Sequence, residues 1–150
     1  MYTLLRQQQV NIPAEELWAF IATPVNLNLL TPPSLQFKFL SELPETMSEG
    51  LLLLYEVGIV PFGRYRWLTE IKHIRPGLSF VDEQRLGPYR FWYHYHEIAG
   101  QPDGGSLMLD RVCYQLPFGP LGALVHRLMV KGMLEQIFDY RAAKLQELFP

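Results

Sequence analysis

The spacing of hydrophobic and polar positions changes twice along the chain. Between residues 35 and 116 the two kinds of side chain mostly alternate, which is typical of strands that bury one face. Turn residues such as Pro76-Gly77 and Gly87-Pro88 separate these runs, so the pattern predicts an antiparallel meander. Together with the alternating N-terminal segment, the predicted strands are 2–11, 35–40, 50–57, 65–74, 78–85, 89–98 and 106–116.

Spacings of three and four residues appear directly after the first strand. Leu17, Phe20 and Ile21 form one apolar face and predict a short helix. The pair Thr23-Pro24 matches an N-cap residue followed by the first residue of a helix. We therefore expect a second short helix there.

The same spacings return near the C-terminus and predict one long helix over 121–148. Leu134, Phe138 and Leu145 lie on its apolar stripe, so we expect them to be buried against the sheet. Gly132 lies within this helix, where glycine costs about 1 kcal/mol relative to alanine. Close packing against the sheet or space for a ligand would each explain it, and we expect packing.

A curved antiparallel sheet has one apolar face to cover, and only the C-terminal helix is long enough to cover it. The order of elements therefore predicts an α+β fold with a single domain over 1–150. About seven strands wrap around the C-terminal helix, and two short helices follow the first strand. With 9 Phe, 8 Tyr and 3 Trp, the space between sheet and helix is expected to be a bulky core or an aromatic-lined cavity.

Composition excludes several classes of protein. The net charge of −2 provides no basic excess for nucleic acid, so we expect no nucleic-acid partner. The single cysteine, Cys113, excludes an intramolecular disulfide framework. The sequence shows no secretory signal and no apolar run of spanning length, so we expect a cytoplasmic location and no stable membrane insertion.

The alternation also assigns side chains to the two faces of the sheet. The concave face, towards the helix, receives polar side chains among large hydrophobic ones. The ligand-binding residues predicted on this face are Trp67, Thr69, Phe80, Asp82, Gln84, Trp92, His94, His96, Met108, Asp110 and Tyr114. The outward face then carries Phe91, Tyr93 and Tyr95, which form either a cross-strand aromatic ladder or the contact of a homodimer.

The histidines and carboxylates of the concave face have three interpretations. They can form a hydrogen-bond network across adjacent strands, anchor a ligand among apolar walls, or bind a metal ion. His94 and His96 are two residues apart on one strand, about 6.5–7 Å between backbones, so their imidazoles can reach one ion. Because the spacing fixes no third ligand, we predict neither a metal site nor a cofactor.

Several short strings, distributed over nearly the whole chain, resemble one superfamily. They are Leu30-Thr31-Pro32-Pro33, Trp67-Leu68-Thr69-Glu70-Ile71, Phe80-Val81-Asp82-Glu83-Gln84, Gly87-Pro88-Tyr89, Trp92-Tyr93-His94-Tyr95-His96, Asp110-Arg111-Val112-Cys113-Tyr114 and Ile137-Phe138-Asp139-Tyr140-Arg141. In this order of elements they resemble the START/polyketide-cyclase (SRPBCC) helix-grip superfamily, which includes the birch-pollen-allergen type, and in particular its bacterial members of unassigned role. The resemblance implies a helix-grip fold and a hydrophobic small-molecule ligand, such as a lipid, a polyketide or an aromatic-like compound. Since the superfamily also contains enzymes, the resemblance does not choose an activity.

Two functions fit such a cavity. In a carrier or sensor, the hydrophobic walls provide affinity and a polar anchor sets the orientation of the ligand. In a cyclase/aromatase- or hydrolase-like enzyme, His94 or His96 would be the general base, Asp82 or Asp110 would orient it, and Tyr114 would donate to a developing oxyanion. An imidazole free to reach a substrate would favour the enzyme, whereas two histidines bonded to aspartates would favour binding.

The two Pro-Phe-Gly turns, 61–63 and 117–119, fall at the same end of the predicted meander, because alternate connections lie together. We therefore expect Phe62 and Phe118 at the mouth of the cavity, as a gate or as rings that fill gaps. The Leu-rich run 116–130 is expected to pack into the core, with His126 solvated.

Overall fold

Seven antiparallel strands form one curved sheet in the computed structural model, which describes residues 1–59 and 61–150. The strand order across the sheet is β1-β7-β6-β5-β4-β3-β2, so every neighbouring pair except β1 and β7 is consecutive in the chain. The predicted α+β helix-grip fold is confirmed. The strands are β1 Tyr2–Val10, β2 Lys38–Phe39, β3 Leu52–Ile59, β4 Gly63–Arg75, β5 Ser79–Leu86, β6 Phe91–Gly100 and β7 Ser106–Gln115.

The second strand is much shorter than predicted. Only Lys38–Phe39 pairs with β3, whereas the alternation had indicated 35–40. Pro33–Leu35 forms a 3-10 turn instead, and Gln36 after it adopts a left-handed conformation with φ of 46°. A proline presets the backbone for such a turn. Leu35 therefore lies in the turn and not in a strand, although its neighbours in the sequence alternate in polarity.

The short helices after β1 are present, but they differ in type. Helix α1, Ala14–Ile21, buries Leu17 completely, in agreement with its apolar spacing. The second segment, Pro24–Asn28, is a 3-10 helix. Thr23 and Pro24 occupy the predicted N-cap and first helical positions, but the hydroxyl of Thr23 donates to the carbonyl of Ala19 at 2.9 Å and makes no capping hydrogen bond.

The C-terminal helix runs over 119–148 and is interrupted once. Helix α2, Gly119–Val125, is followed by a π-helical turn at His126–Val130 and then by α3, Lys131–Leu148. Leu134, Phe138 and Leu145 are buried, as predicted from their spacing. In the described part of the chain, no helix combines the length and the apolar character that crossing a membrane requires.

The π-helical turn changes which face of the C-terminal helix points inward. His126 and Val130 are buried, but Leu121, Leu124 and Leu128 remain 61%, 53% and 71% exposed. The prediction that the Leu-rich run packs into the core is therefore wrong for these leucines. A π turn holds about one residue more than an α turn, so the apolar stripe of α2 falls out of phase with that of α3.

The outward aromatic side chains of β6 are half-buried. The rings of Phe91 and Tyr93 stack along the strand with centroids 6.5 Å apart, and the guanidinium of Arg111 lies 5.2 Å from the ring centre of Tyr95. The aromatic rings therefore contact each other along one strand, and Tyr95 contacts a cation on the neighbouring strand. This arrangement differs from the predicted aromatic ladder across strands. The homodimer contact stays a prediction.

Buried side chains divide the concave side into separate packed regions. Under α1, a tightly packed region contains Leu17, Ile98, Met108 and Leu145. A second region, between the sheet and the middle of the C-terminal helix, contains large rings together with Leu134 and Phe138. The first region closes one end of the concave face, and the second leaves the space described below.

Leu145→Ala should destabilise the protein by about 2–5 kcal/mol, because Leu145 is fully buried and its truncation leaves a void. Urea denaturation measures this loss. Gln146→Ala, at the exposed neighbouring position, should change stability by less than about 0.5 kcal/mol. Equal losses of stability at the two positions would contradict the assignment of Leu145 to the buried face of α3 and of Gln146 to its exposed face.

Gly132→Ala and Gly122→Ala should change stability in opposite directions. A Cβ at Gly132 would meet no neighbour, so the predicted packing of Gly132 against the sheet is wrong, and alanine should stabilise by about 0.5–1 kcal/mol. A Cβ at Gly122 would collide with the carbonyl oxygen of Pro117, so alanine should destabilise there. Thermal and chemical denaturation of both variants check the two signs, and a loss of stability in Gly132→Ala would count against this placement.

Candidate functional site

A cavity of about 210 Å³ lies between the concave face of the sheet, the segment 21–37 and α3. Its walls are mainly apolar, with Leu53 and Val57 from β3 and Ile137 and Phe138 from α3 among them. The cavity is also lined by seven of the residues that the sequence predicts, namely Trp67, Thr69, Phe80, Asp82, Trp92, His94 and His96.

Strand register brings the polar side chains of this cavity together. On one side of β6, Asp82 of β5 lies directly opposite His94. On the other side, Asp110 of β7 lies directly opposite His96. Because all four side chains point to the same face, the two imidazoles lie between the two carboxylates, with ring centroids 3.7 Å apart.

Each imidazole faces both carboxylates, so the four side chains form a closed cluster. His94 places Nε2 at 2.9 Å from Oδ1 of Asp110 and Nδ1 at 3.1 Å from Oδ2 of Asp82. His96 places Nε2 at 2.7 Å from Oδ2 of Asp82 and Nδ1 at 2.9 Å from Oδ1 of Asp110. We call Asp82, His94, His96 and Asp110 the His/Asp cluster.

Two further side chains hold the carboxylates of the cluster. The indole Nε1–H of Trp92 donates to Oδ1 of Asp82 at 3.2 Å. Arg141 of α3 is only 9% exposed and places Nη2 at 3.7 Å from Oδ1 of Asp110. Arg141 is a site residue that the sequence reasoning missed, although an arginine on the buried stripe between Phe138 and Leu145 is an unusual signal.

The electrostatics favour the ionised forms of Asp82, Asp110 and His94. Burial alone would raise the pKa of Asp82, but the charge and hydrogen bonds of the two histidines outweigh it, so the pKa falls below its usual range. For Asp110, burial is likewise outweighed, here first by the charge of Arg141, and its pKa is held well below its ordinary value. Burial would lower the pKa of His94, but the two facing carboxylates raise it above its ordinary value.

Three buried nitrogen atoms in residues that line the cavity lack protein hydrogen-bond partners. Nε1 of Trp67 and Nε of Arg141 form no hydrogen bond, and both residues line the cavity. Nδ1 of His96 is also without one, since its approach to Asp110 lacks hydrogen-bond geometry. A buried N–H without an acceptor costs about 1–3 kcal/mol, so an acceptor brought within reach of these groups would remove that cost.

Other predicted site residues lie outside the cavity wall. Gln84 binds the backbone of Tyr89 through both ends of its amide and thereby holds the turn between β5 and β6. Met108 is buried in the packed region under α1. Asp110 lies behind the two histidines, where it contacts both without lining the cavity.

Tyr114 belongs to a second aromatic contact rather than to the cavity wall. Its hydroxyl forms a 2.8 Å hydrogen bond with Nε2 of His126, and the imidazole of His126 stacks on Tyr2 at 3.4 Å between ring centres. His126 is therefore buried, and the expectation of a solvated side chain is wrong. Burial lowers the pKa of His126 and raises that of Tyr114.

The two Pro-Phe-Gly turns follow β3 and β7, and the antiparallel order places both at the same end of the sheet. Phe62 is 48% exposed and Phe118 is 79% exposed. Neither ring is among the side chains that line the cavity. Their role as a gate stays a prediction.

Asp110→Asn should destabilise the protein by about 3–5 kcal/mol, because it leaves the buried Arg141 without its counter-ion. In a double-mutant cycle with Arg141→Met, the two losses should be non-additive by more than about 1 kcal/mol. The exposed pair Arg6 and Asp139 provides the matched control, with coupling below about 1 kcal/mol. Additive losses at Asp110 and Arg141 would contradict their electrostatic coupling.

The chain matches no protein-family model and no curated protein sequence. Several solved structures share its fold. A START superfamily protein from Mycobacterium smegmatis has a TM-score of 0.70 at 12% identity, with 99% of each chain covered. The Zhui aromatase/cyclase from Streptomyces sp. R1128 has a TM-score of 0.72 at 12% identity, over 96% of this chain and 90% of that chain.

Ara h 8.0201, a protein of the birch-allergen type, has a TM-score of 0.62 at 18% identity, over 97% of this chain and 98% of that chain. All three likenesses extend over almost the whole chain, so they concern the complete arrangement of sheet and helix. The chain therefore has the helix-grip fold of these START-superfamily, birch-allergen-type and aromatase/cyclase proteins.

Proposed function

We propose that this protein binds or transports a mostly hydrophobic small molecule that carries a hydrogen-bond acceptor. The observation that carries the proposal is the apolar cavity with two buried N–H groups, on Trp67 and Arg141, that have no protein acceptor. Pockets that combine apolar walls with a few convergent polar groups are typical of small-molecule sites. The ligand is a lipid, a polyketide or an aromatic-like compound.

The two parts of the cavity contribute differently to binding. Apolar surface buried on the walls supplies affinity at about 25 cal/mol per Å². An acceptor on the ligand removes the cost of the unpaired donors, so it supplies selectivity for ligands that carry a carbonyl or carboxylate group. The fixed charges of the cluster define one polar end of the cavity and thus the orientation of the ligand.

The structural neighbours support binding in general. One is a START superfamily protein, one is Ara h 8.0201, and one is an aromatase/cyclase. Only the aromatase/cyclase has a name that states an activity, and one fold can host several activities, so the choice of activity depends on the residues of this chain.

A cyclase/aromatase- or hydrolase-like enzyme is the alternative, and the geometry supports it less well. Both ring nitrogens of His94 face carboxylates, and Nε2 of His96 is bonded to Asp82, so neither imidazole has a free base directed at a substrate. Tyr114, the predicted donor to an oxyanion, is bonded to His126 outside the cavity wall. Histidines engaged in this way favour binding over turnover.

Leu53→Trp should weaken binding of the fluorescent probe 11-(dansylamino)undecanoic acid at least 10-fold, because the added ring fills the cavity. Leu52→Trp is the matched control, since Leu52 precedes Leu53 on β3 but is 52% exposed and is not on the cavity wall. Its affinity should stay within 2-fold of the wild type. Fluorescence titration of both variants, with circular dichroism to verify folding, makes the comparison. Equal affinities for both variants would argue against this cavity as the binding site.

The acceptor is tested with a pair of competitors of similar size, 2-naphthoic acid and 2-methylnaphthalene. The affinity of 2-naphthoic acid, measured by displacement of the probe, should be at least 10-fold higher than that of 2-methylnaphthalene. Trp67→Phe should reduce this difference in affinity because it removes one unpaired N–H. Equal displacement by the two compounds would contradict the proposal that the ligand carries a hydrogen-bond acceptor, and would support a purely hydrophobic cavity.

A further inference from the structure

Three ligand atoms of the kind that transition metals prefer converge on the cavity side of the His/Asp cluster. Oδ2 of Asp82 lies 3.1 Å from Nδ1 of His94 and 2.7 Å from Nε2 of His96. Donor atoms from these three residues all lie within 4.8 Å of one another. Neighbouring ligand atoms around Zn²⁺, each bound at about 2.0–2.2 Å, are separated by about 3–3.5 Å, so the two distances from Asp82 need only a small expansion to admit an ion.

The surroundings of these three atoms resemble the outer shell of a metal site. Metal-bound histidines donate their second ring N–H to a carboxylate or carbonyl, and bound carboxylates are themselves hydrogen-bonded. Here Nε2 of His94 is hydrogen-bonded to Asp110 at 2.9 Å, and Nδ1 of His96 lies at the same distance from Asp110 without hydrogen-bond geometry. Trp92 donates to the second oxygen of Asp82. These contacts orient His94, His96 and Asp82 towards one point.

The cluster is nearly symmetric, and Arg141 distinguishes its two sides. On the Asp110 side, the guanidinium of Arg141 already supplies a positive charge, which excludes a cation. On the Asp82 side, no lysine or arginine of the described residues 1–59 and 61–150 forms an ion pair with the carboxylate. Asp82, His94 and His96 line the cavity, so an ion can reach them there.

We propose that Asp82, His94 and His96 bind one divalent first-row transition metal ion, such as Zn²⁺ or Fe²⁺. Two imidazoles and one carboxylate are a ligand set that these ions accept, and three protein ligands leave coordination positions open. The open positions face the apolar cavity and are available to water or to the acceptor group of a bound molecule. The site does not depend on the proposed function, since metal binding and probe binding are measured separately.

Isothermal titration of the untagged, chelator-treated protein with Zn²⁺ and with Co²⁺ tests the proposal. We expect one ion per chain and, for Co²⁺, visible absorption bands that Zn²⁺ displaces. Asp82→Asn and His96→Gln should each weaken Zn²⁺ binding at least 100-fold. Asp110→Asn should weaken it 10–100-fold through the orientation of the histidines. His73→Gln is the control and should bind as the wild type does, because His73 is exposed and outside the cluster.

A second measurement needs no variant and stays decisive if the substituted proteins do not fold. In wild-type protein with ¹⁵N-labelled histidine, Zn²⁺ should shift the ring resonances of His94 and His96 and leave those of His73 unchanged. Absence of binding near one ion per chain, or shifts at His73 alone, would overturn the proposal. Probe binding measured in excess chelator then reports on the proposed function by itself, so the failure of either idea is recognised separately.

Discussion

Two carboxylates beneath one helix, one buried and one half-buried, must be neutralised, and much of the structure follows from this requirement. Asp82 and Asp110 lie on the strands either side of β6, so their charges can be met by side chains of β6 and by the helix above. His94 and His96 supply the contacts from the sheet, and Arg141 supplies a cation from α3. An unpaired charge in this position would cost several kcal/mol, so the register of β5, β6 and β7 and the rotation of α3 are coupled through one cluster.

The same cluster shapes the cavity. Three of its members, Asp82, His94 and His96, form part of the cavity wall, whereas the region under α1 closes around the apolar side chains of Met108 and Leu145. The concave face thus has a tightly packed end and an open end. Trp67 and Trp92 mark the open end with two indoles, one bonded to Asp82 and the other without a partner.

The sequence was informative where one physical rule dominates. In an antiparallel sheet the side-chain period is two, so alternation alone could assign Asp82, His94, His96 and Asp110 to one face. It did not assign Arg141 to the site, although an arginine on the buried stripe was an unusual signal, because the counter-ion of a buried carboxylate depends on tertiary contacts. It also misjudged 35–36, where a turn that begins at Pro33 interrupts the start of the predicted strand, and it misplaced His126, which a π-helical turn rotates into the core.

That π-helical turn at His126–Val130 has a consequence for how the chain can vary in evolution. Removing one residue from the turn would restore an α-helical path and rotate α2 by about 100° relative to α3. His126 would leave its contacts with Tyr2 and Tyr114, and a different set of α2 side chains would face the sheet. A deletion or insertion of a single residue here would exchange buried side chains of α2 for exposed ones. The number of residues in this segment, rather than their identity alone, is under constraint.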